Sequence, residues 1–418
     1  MKKKIYIAVS VVSVLFIIAG IMLSTTLTNK DIQNNEQTAR TEETEVEEKE
    51  VQALENEEEI TKNWDRSKVT IEHDTAGVPV PVPIGFTASK AEEEQTVNTG
   101  FVIYEGEVEA VNPNEWTEEE AWKASLDKNQ FVWVPVKNAS ERIYEKDETT
   151  GKIKARLWDF SSTGRKVINN ANTDIKREAG VISNQGYDNI RYFSNIGKKG
   201  MGMSGYSKDT FYKELETELI KTMESIEKYG GFYIGRYETG NIGSNIPVVR
   251  RMNTDLYNQS WYQAYPKMNN ISTKKNIKIS MIWGCLWDET LQWLVDTGDK
   301  TYSELTDSTT WGNYFNSSTF TYKINTSGAT GTKNNYFAKI IPAGSTEYTK
   351  ANNIYDLAGN LWDWTLECDP NKPDSRIARG GSWNDYGYSS SVNERNNCWV
   401  PYSSNYYAFR AYLYIKWN

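Results

Sequence analysis

The 418-residue sequence predicts one folded region of short strands, few helices and much irregular loop, set behind an apolar span and an acidic tether. Three observations predict it. Nineteen uncharged residues, 5–23, follow Met1-Lys2-Lys3-Lys4. Residues 31–60 hold twelve acidic and two basic side chains. Beyond residue 100, β-branched and aromatic runs alternate with a few helical patterns and with polar stretches of little periodicity.

At 1.5 Å per residue the apolar run nearly spans a bilayer core of roughly 30 Å. Three lysines before it place the N-terminus inside. A cleaved signal peptide is the alternative. The run is long for one, Ser24-Thr25-Thr26 makes no small-x-small cleavage site, and no cysteine follows to take a lipid. The expectation is a signal anchor over 1–28: a single-pass protein of the cell membrane, held through residues 5–23, with its C-terminal domain extracellular. Residues 29–77 have the composition of an acidic disordered linker. Alternating proline in residues 78–83 reads as a stiff polyproline entry segment, 78–94. The folded domain is expected over 95–418.

Within that domain, residues 100–104 and 131–136 read as strands. Phe211, Leu215, Leu219, Met223 and Ile226 recur at spacings of three and four, which predicts a helix over 208–228 ended by Gly230-Gly231. Residues 232–238 read as a strand. A second helix is expected over 285–296, with Leu286, Thr290, Trp293 and Leu294 on one side. Residues 300–350 read as long loops.

Composition excludes several classes. The formal charge of −9 is concentrated in the tether, so no basic nucleic-acid footprint is visible. The single histidine, His73, lies before the domain, which removes Ser-His-Asp and Cys-His chemistry. Cys285, Cys368 and Cys398 are odd in number and widely spaced, suggesting neither a disulfide framework nor a zinc knuckle. Residues 197–205 are glycine-rich but lack phosphate-loop spacing.

The last seventy residues carry the most specific signal. Asn353-Ile354-Tyr355-Asp356-Leu357-Ala358-Gly359-Asn360-Leu361-Trp362-Asp363-Trp364 resembles the Asn-x-x-Asp-x-x-Gly-Asn-x-Trp-Glu-Trp signature of the formylglycine-generating enzyme (sulfatase-modifying factor) family. Arg379-Gly380-Gly381-Ser382-Trp383 and Ala408-Phe409-Arg410 resemble its next two motifs, in order. Phe131-Val132-Trp133-Val134-Pro135, residues 232–238 and Trp261-Tyr262-Gln263-Ala264 are weaker matches upstream. The resemblance covers roughly 95–418 and implies a C-type-lectin-like α+β fold.

It also implies a structural calcium in the signature loop. Its ligands would be the side chains of Asp356 and Asp363 and the carbonyls of Gly359 and Leu361, hard oxygens of the kind Ca²⁺ takes. Asp363 stands where the family has Glu, one methylene shorter. A metal-free turn held by Asp and Asn side chains is the alternative. The family's two copper-binding cysteines fall at Asp385 and Ser390, which cannot supply the thiolate pair that Cu(I) prefers. Histidine-ligated iron, used by related sulfoxide synthases, is equally unavailable. Neither copper nor iron is therefore expected. Carboxylate pairs such as Asp288/Glu289 and Asp363/Glu367 remain a remote route to glycoside hydrolysis.

Residues 384–407 read NDYGYSSSVNERNNCWVPYSSNYY, with no Leu or Ile. Tyrosine gives rigid amphipathic contact area, and Ser and Asn give adaptable hydrogen bonds, as in paratopes. The segment is similar to that of variable proteins of diversity-generating retroelements, which diversify such positions near the C-terminus. Its candidate contacts are Asn384, Asp385, Tyr386, Tyr388, Asn393, Asn397, Trp399, Tyr402, Asn405 and Tyr406. An ordinary polar loop is the alternative. The expected function is non-catalytic binding of a protein or glycan outside the cell. An enzyme of this family with altered chemistry is the competing class.

Overall fold

Val132, Trp133, Val134, Phe232, Tyr233 and Ile234 are apolar on successive positions, so the strands that carry them must be covered on both faces. They lie at the centre of a six-stranded antiparallel sheet. Its order is β7 (Ile277–Met281), β14 (Ala411–Ile415), β6 (Gly231–Gly235), β5 (Gln130–Pro135), β4 (Val102–Glu105) and β3 (Phe86–Ala88). Tyr233 sits opposite Trp133 on one side and Leu413 on the other. The last strand of the chain is thus sandwiched inside the sheet. The computed structural model describes residues 57–146, 149, 153–168, 208–241, 246–255, 258–367, 375–400 and 402–417.

Helix α2 (Lys208–Tyr229) packs on β6 and β14. Its expected stripe is fully buried at Leu215, Leu219, Met223 and Ile226. Polar groups on the same face are satisfied by the sheet: Ser225 donates to the Ile415 carbonyl at 2.9 Å, and Thr222 pairs with the Tyr412 hydroxyl at 2.8 Å. Gly230 adopts φ +83° and turns the chain into β6. Helix α1 (Glu118–Asp127) opens with a Thr117/Glu120 capping box, and α3 (Trp261–Lys267) with one from Ser260 and Gln263.

Helix α4 (Gly284–Asp296) corrects the one-sided expectation, since every residue from Gly284 to Leu294 is buried. Asp288 and Glu289 are tolerated there because arginines from four separate segments meet them.

The proline segment corrects a second expectation. Strand β2 (Pro79–Pro83) pairs antiparallel with β1 (Val69–His73) and is buried throughout. Alternation puts the missing N–H groups at every second residue, on the edge facing away from β1. On that edge the Pro81 carbonyl accepts from the Tyr233 hydroxyl at 3.1 Å. Strands β1 and β2 thus precede residue 95, and β1 falls within the expected linker. Thr61–Asn418 cluster as one unit. The expected anchor, and the linker up to residue 56, lie outside the described residues. Among the described residues no helix is long and apolar enough to cross a membrane.

A second sheet, order β12 (Asn396–Trp399), β11 (Ser375–Arg379), β10 (Trp362–Trp364) and β13 (Tyr407–Phe409), carries the C-terminal motifs. β10 and β13 run parallel and the other pairs antiparallel. Residues 300–350 are mostly loop, as expected, but include a hairpin of β8 (Phe320–Lys323) and β9 (Thr330–Lys333).

Candidate functional site at the C-terminal surface

The signature loop is a run of left-handed residues: Asn352, Asn353, Asp356, Gly359 and Asn360 all have positive φ. Asn and Asp tolerate that region better than other side chains. At Gly359 no side chain fits, because a Cβ would stand 2.4 Å from the Asn313 carbonyl oxygen. Asn360 ties the loop together. Its amide donates to Glu238 at 2.6 Å, and its carbonyl accepts from the Asn313 side chain at 3.0 Å and the Ile341 N–H at 3.1 Å.

The residues implied for calcium do not fit the ion. Both Asp356 oxygens are taken, one by the Gly344 N–H and one by the Thr349 hydroxyl, each at 2.7 Å. Arg410, from the closing motif, donates to Asp363 at 2.9 Å and to the carbonyls of Gly235, Tyr355 and Asp356 at 2.9–3.0 Å. A guanidinium thus holds one of the two carboxylates that the resemblance implies as ligands. The Leu361 N–H donates to Glu238 at 3.0 Å. Burial pushes the Asp363 carboxyl up to about 6 against the pull of Arg410. Among the described residues no group of three or more His, Cys, Asp or Glu is placed to hold a metal. The loop is held in place by these side chains and by Arg410, and the second oxygen of Asp363 is buried without a hydrogen-bond partner among the described residues.

The second motif feeds the polar-aromatic segment. Arg379 is fully buried and donates to Asp288 at 3.0 Å and to the Asn393 carbonyl at 3.2 Å. Arg395, from the middle of the segment, pairs with Glu367 at 3.0 Å and with Asp288. It also donates to the Trp158 carbonyl at 3.0 Å. Arg142 pairs with Glu289 at 2.7 Å, and Arg165 lies 3.9 Å from Glu289 and 3.8 Å from the Trp158 ring. Burial pushes Glu289 up to about 7, opposed by these arginines. The carboxylate pairs Asp288/Glu289 and Asp363/Glu367 are therefore salt-bridged core, closed to solvent.

Above this network lies a cavity of about 440 Å³. Asn384, Asp385, Tyr402 and Tyr406 line it, together with Ser390, Glu394, Arg395 and Asn396, which sequence reasoning did not place among the contacts. Trp362 and Tyr407, from β10 and β13, form its apolar part. The two positions where the resemblance requires thiolates thus face one cavity as a carboxylate and a hydroxyl. Asp385 is engaged, accepting from Trp362 Nε1 at 2.8 Å, the Ser382 N–H at 3.0 Å and the Ser382 hydroxyl at 2.6 Å.

Tyr386, Tyr388, Trp399 and Tyr402 are exposed, as are Asn384 and Asn405. Asn397 and Tyr406 are half-buried. Tyr406 stacks on Trp383 at 5.4 Å and packs against the core. Tyr386 meets Phe315 at 5.5 Å and Tyr388 at 5.4 Å, and Phe315 meets the exposed Tyr336, so one aromatic patch draws on two distant segments. Asn393 corrects its expected role. It is buried, accepting from Ser391 at 2.6 Å and donating to the Phe160 carbonyl at 3.3 Å, which makes it a brace.

All three motifs fall inside a segment with an independent match. Residues 297–413 match the family of the sulfatase-modifying factor enzyme 1-like domain. The chain therefore resembles formylglycine-generating enzymes beyond the motifs themselves. No curated protein matches the sequence. Solved structures similar to the chain include that of CarF, 15 % identical over 44 % of this chain and 87 % of that one, with a TM-score of 0.28. PvdO from Pseudomonas aeruginosa is 15 % identical over 45 % and 82 %, TM-score 0.29. Treponema denticola variable protein 1 is 16 % identical over 82 % and 91 %, TM-score 0.23.

Proposed function

We propose that this chain is a non-catalytic ligand-binding protein, displayed outside the cell through a membrane anchor at residues 5–23, with residues 384–407 as its recognition surface. The observation that carries the reading is a division of labour within that segment. Tyr386, Tyr388, Trp399 and Tyr402 face solvent, while Asp385, Asn393 and Arg395 hold the backbone from beneath. Exposed tyrosine and tryptophan on a braced backbone supply rigid contact area at low entropic cost. The ligand chemistry that suits such a face is a protein or glycan surface.

The test is a glycan array and a displayed-peptide library probed with the purified full chain and with a Tyr388→Ala/Trp399→Ala/Tyr402→Ala variant. Expected is binding that the variant loses at unchanged melting temperature, each true hot spot contributing roughly 2 kcal/mol. Binding that survives the triple change overturns the assigned surface. Formylglycine detected by mass spectrometry in a sulfatase-type cysteine peptide overturns the non-catalytic reading.

A further inference from the structure

A second concavity shares no lining residue with the C-terminal cavity. It is a groove of about 1720 Å³ between α1, the turn Glu92–Glu94, the β8/β9 hairpin and the turn Glu347–Thr349. Five aromatic residues line it: Trp116, Trp122, Phe320, Tyr322 and Tyr348. Phe320 and Tyr348 stack at 4.4 Å.

Six carboxylates face three cations in this lining. Glu347 is matched by Lys350 at 2.7 Å and Arg251 at 2.8 Å, Glu93 by Lys350 at 3.5 Å, and Glu94 by the buried Arg236 at 2.6 Å. Glu92, Glu118 and Glu119 remain, exposed and without an ion pair among the described residues. Glu118 and Glu119 stand in the first turn of α1, where the helix dipole favours carboxylates, and take no part in the capping box that Glu120 closes.

Two further observations point to an occupant. The Trp122 ring carries Lys323 Nζ at 3.7 Å and Arg251 Cζ at 4.7 Å, so the groove already holds cations against an aromatic face. Ser345, in the wall, is 3 % exposed, and its hydroxyl finds no hydrogen-bond partner among the described residues. A buried hydroxyl left open marks a place in the wall where a water or a ligand group completes the hydrogen bond.

We propose that this groove binds an extended peptide segment bearing lysine or arginine. Its cations meet Glu92, Glu118 and Glu119, and its stem carbons lie along the aromatic lining, the Trp122 edge included. Charge complementarity selects this occupant over an acidic peptide, which the three unmatched carboxylates would repel.

The test uses the full chain and fluorescein-labelled twelve-residue peptides of Lys/Ser/Gly, Glu/Ser/Gly and Ser/Gly, read by fluorescence anisotropy at low and physiological salt. Expected is saturable binding of the lysine peptide alone, weakened by salt. Glu92→Gln/Glu118→Gln/Glu119→Gln, all surface changes, should weaken it at least about tenfold. Trp122→Ala should weaken it several-fold at unchanged net charge. The Tyr388/Trp399/Tyr402 alanine variant should bind the peptide as wild type does, so this outcome separates the groove from the C-terminal surface. Equal binding of the acidic or neutral peptide, or full binding by either groove variant, overturns the proposal, as does the absence of lysine-peptide binding.

Discussion

Asp385 lies in a segment whose composition suggests contact, yet its carboxylate is a structural acceptor. Consider Asp385→Ala. The change removes three hydrogen bonds to a charged acceptor, from Trp362 Nε1, the Ser382 N–H and the Ser382 hydroxyl. The hydroxyl can rotate to another partner. The indole and the backbone N–H cannot, and both belong to buried residues. Each orphaned donor costs about 1–3 kcal/mol. The cavity beside them admits water, which favours the lower part of that range, so the total is about 2–4 kcal/mol. For a unit of this size that is roughly 3–5 °C of melting temperature. Asp385→Asn keeps an acceptor without the charge and should lose about half as much. Tyr388→Ala, at an exposed side chain, should stay within about 0.5 kcal/mol of wild type. Urea denaturation and calorimetry on the three variants decide it. If Asp385→Ala is as stable as wild type, the carboxylate is not holding the loop and becomes available to a ligand or metal.

Three other outcomes follow from the same geometry. Arg410→Ala strips a buried carboxylate of its partner and should cost about 3–5 kcal/mol, while chelator or added calcium should leave the wild-type melting temperature unchanged; a chelator-induced drop would restore the calcium reading. Lys333, fully buried with its ammonium on the carbonyls of Tyr314, Phe315 and Ser317, is lowered by burial to about 8. The unfolded chain then binds more protons between pH 8 and the ordinary lysine range, so stability should rise with pH there, by at most about 1.4 kcal/mol per unit, and Lys333→Met should abolish that slope in thermal melts. Gly381→Ala should destabilise by roughly 1–3 kcal/mol, measured by urea unfolding, because at φ +78° its Cβ would meet the Ser390 carbonyl at 2.1 Å.

What was legible in the sequence is what depends on near neighbours. The stripe Leu215, Leu219, Met223 and Ile226 gave α2, and β-branched and aromatic runs gave β5 and β6, because period and composition act over a few residues. The proline run misled because polyproline and edge-strand geometry share the same φ, and only the partner strand at Val69–His73 distinguishes them. The helix over 285–296 was placed correctly, but the burial of Asp288 and Glu289 was not visible. Their partners Arg142, Arg165, Arg379 and Arg395 come from segments far apart in the chain.

That long-range network also explains why composition alone could not sort the candidate contacts. The segment 384–407 is poor in aliphatic residues, and beside the core anchors Val392, Cys398, Val400 and Tyr407 its hold on the domain is polar. Arg395 reaches Asp288 and Glu367 beneath it, Asn393 is clamped by Ser391, Arg379 and Phe160, and Asp385 takes the Trp362 indole. These fixings use the same residue types as a recognition surface, so Asn and Asp in the run read alike whether they brace or face outward. Solvent exposure separates them: large rings point out at positions 386 and 388, between braces at 385 and 393, and at 399 and 402, beyond the brace at 395. Polar braces tolerate this arrangement better than an aliphatic core would. Each is satisfied by a specific partner, so it fixes the backbone path without demanding apolar neighbours along the strand. The exposed rings at 386, 388, 399 and 402 then do not carry the backbone path alone. Substitutions at 386, 388, 399 and 402 should therefore change what the surface contacts while leaving the path of the chain in place.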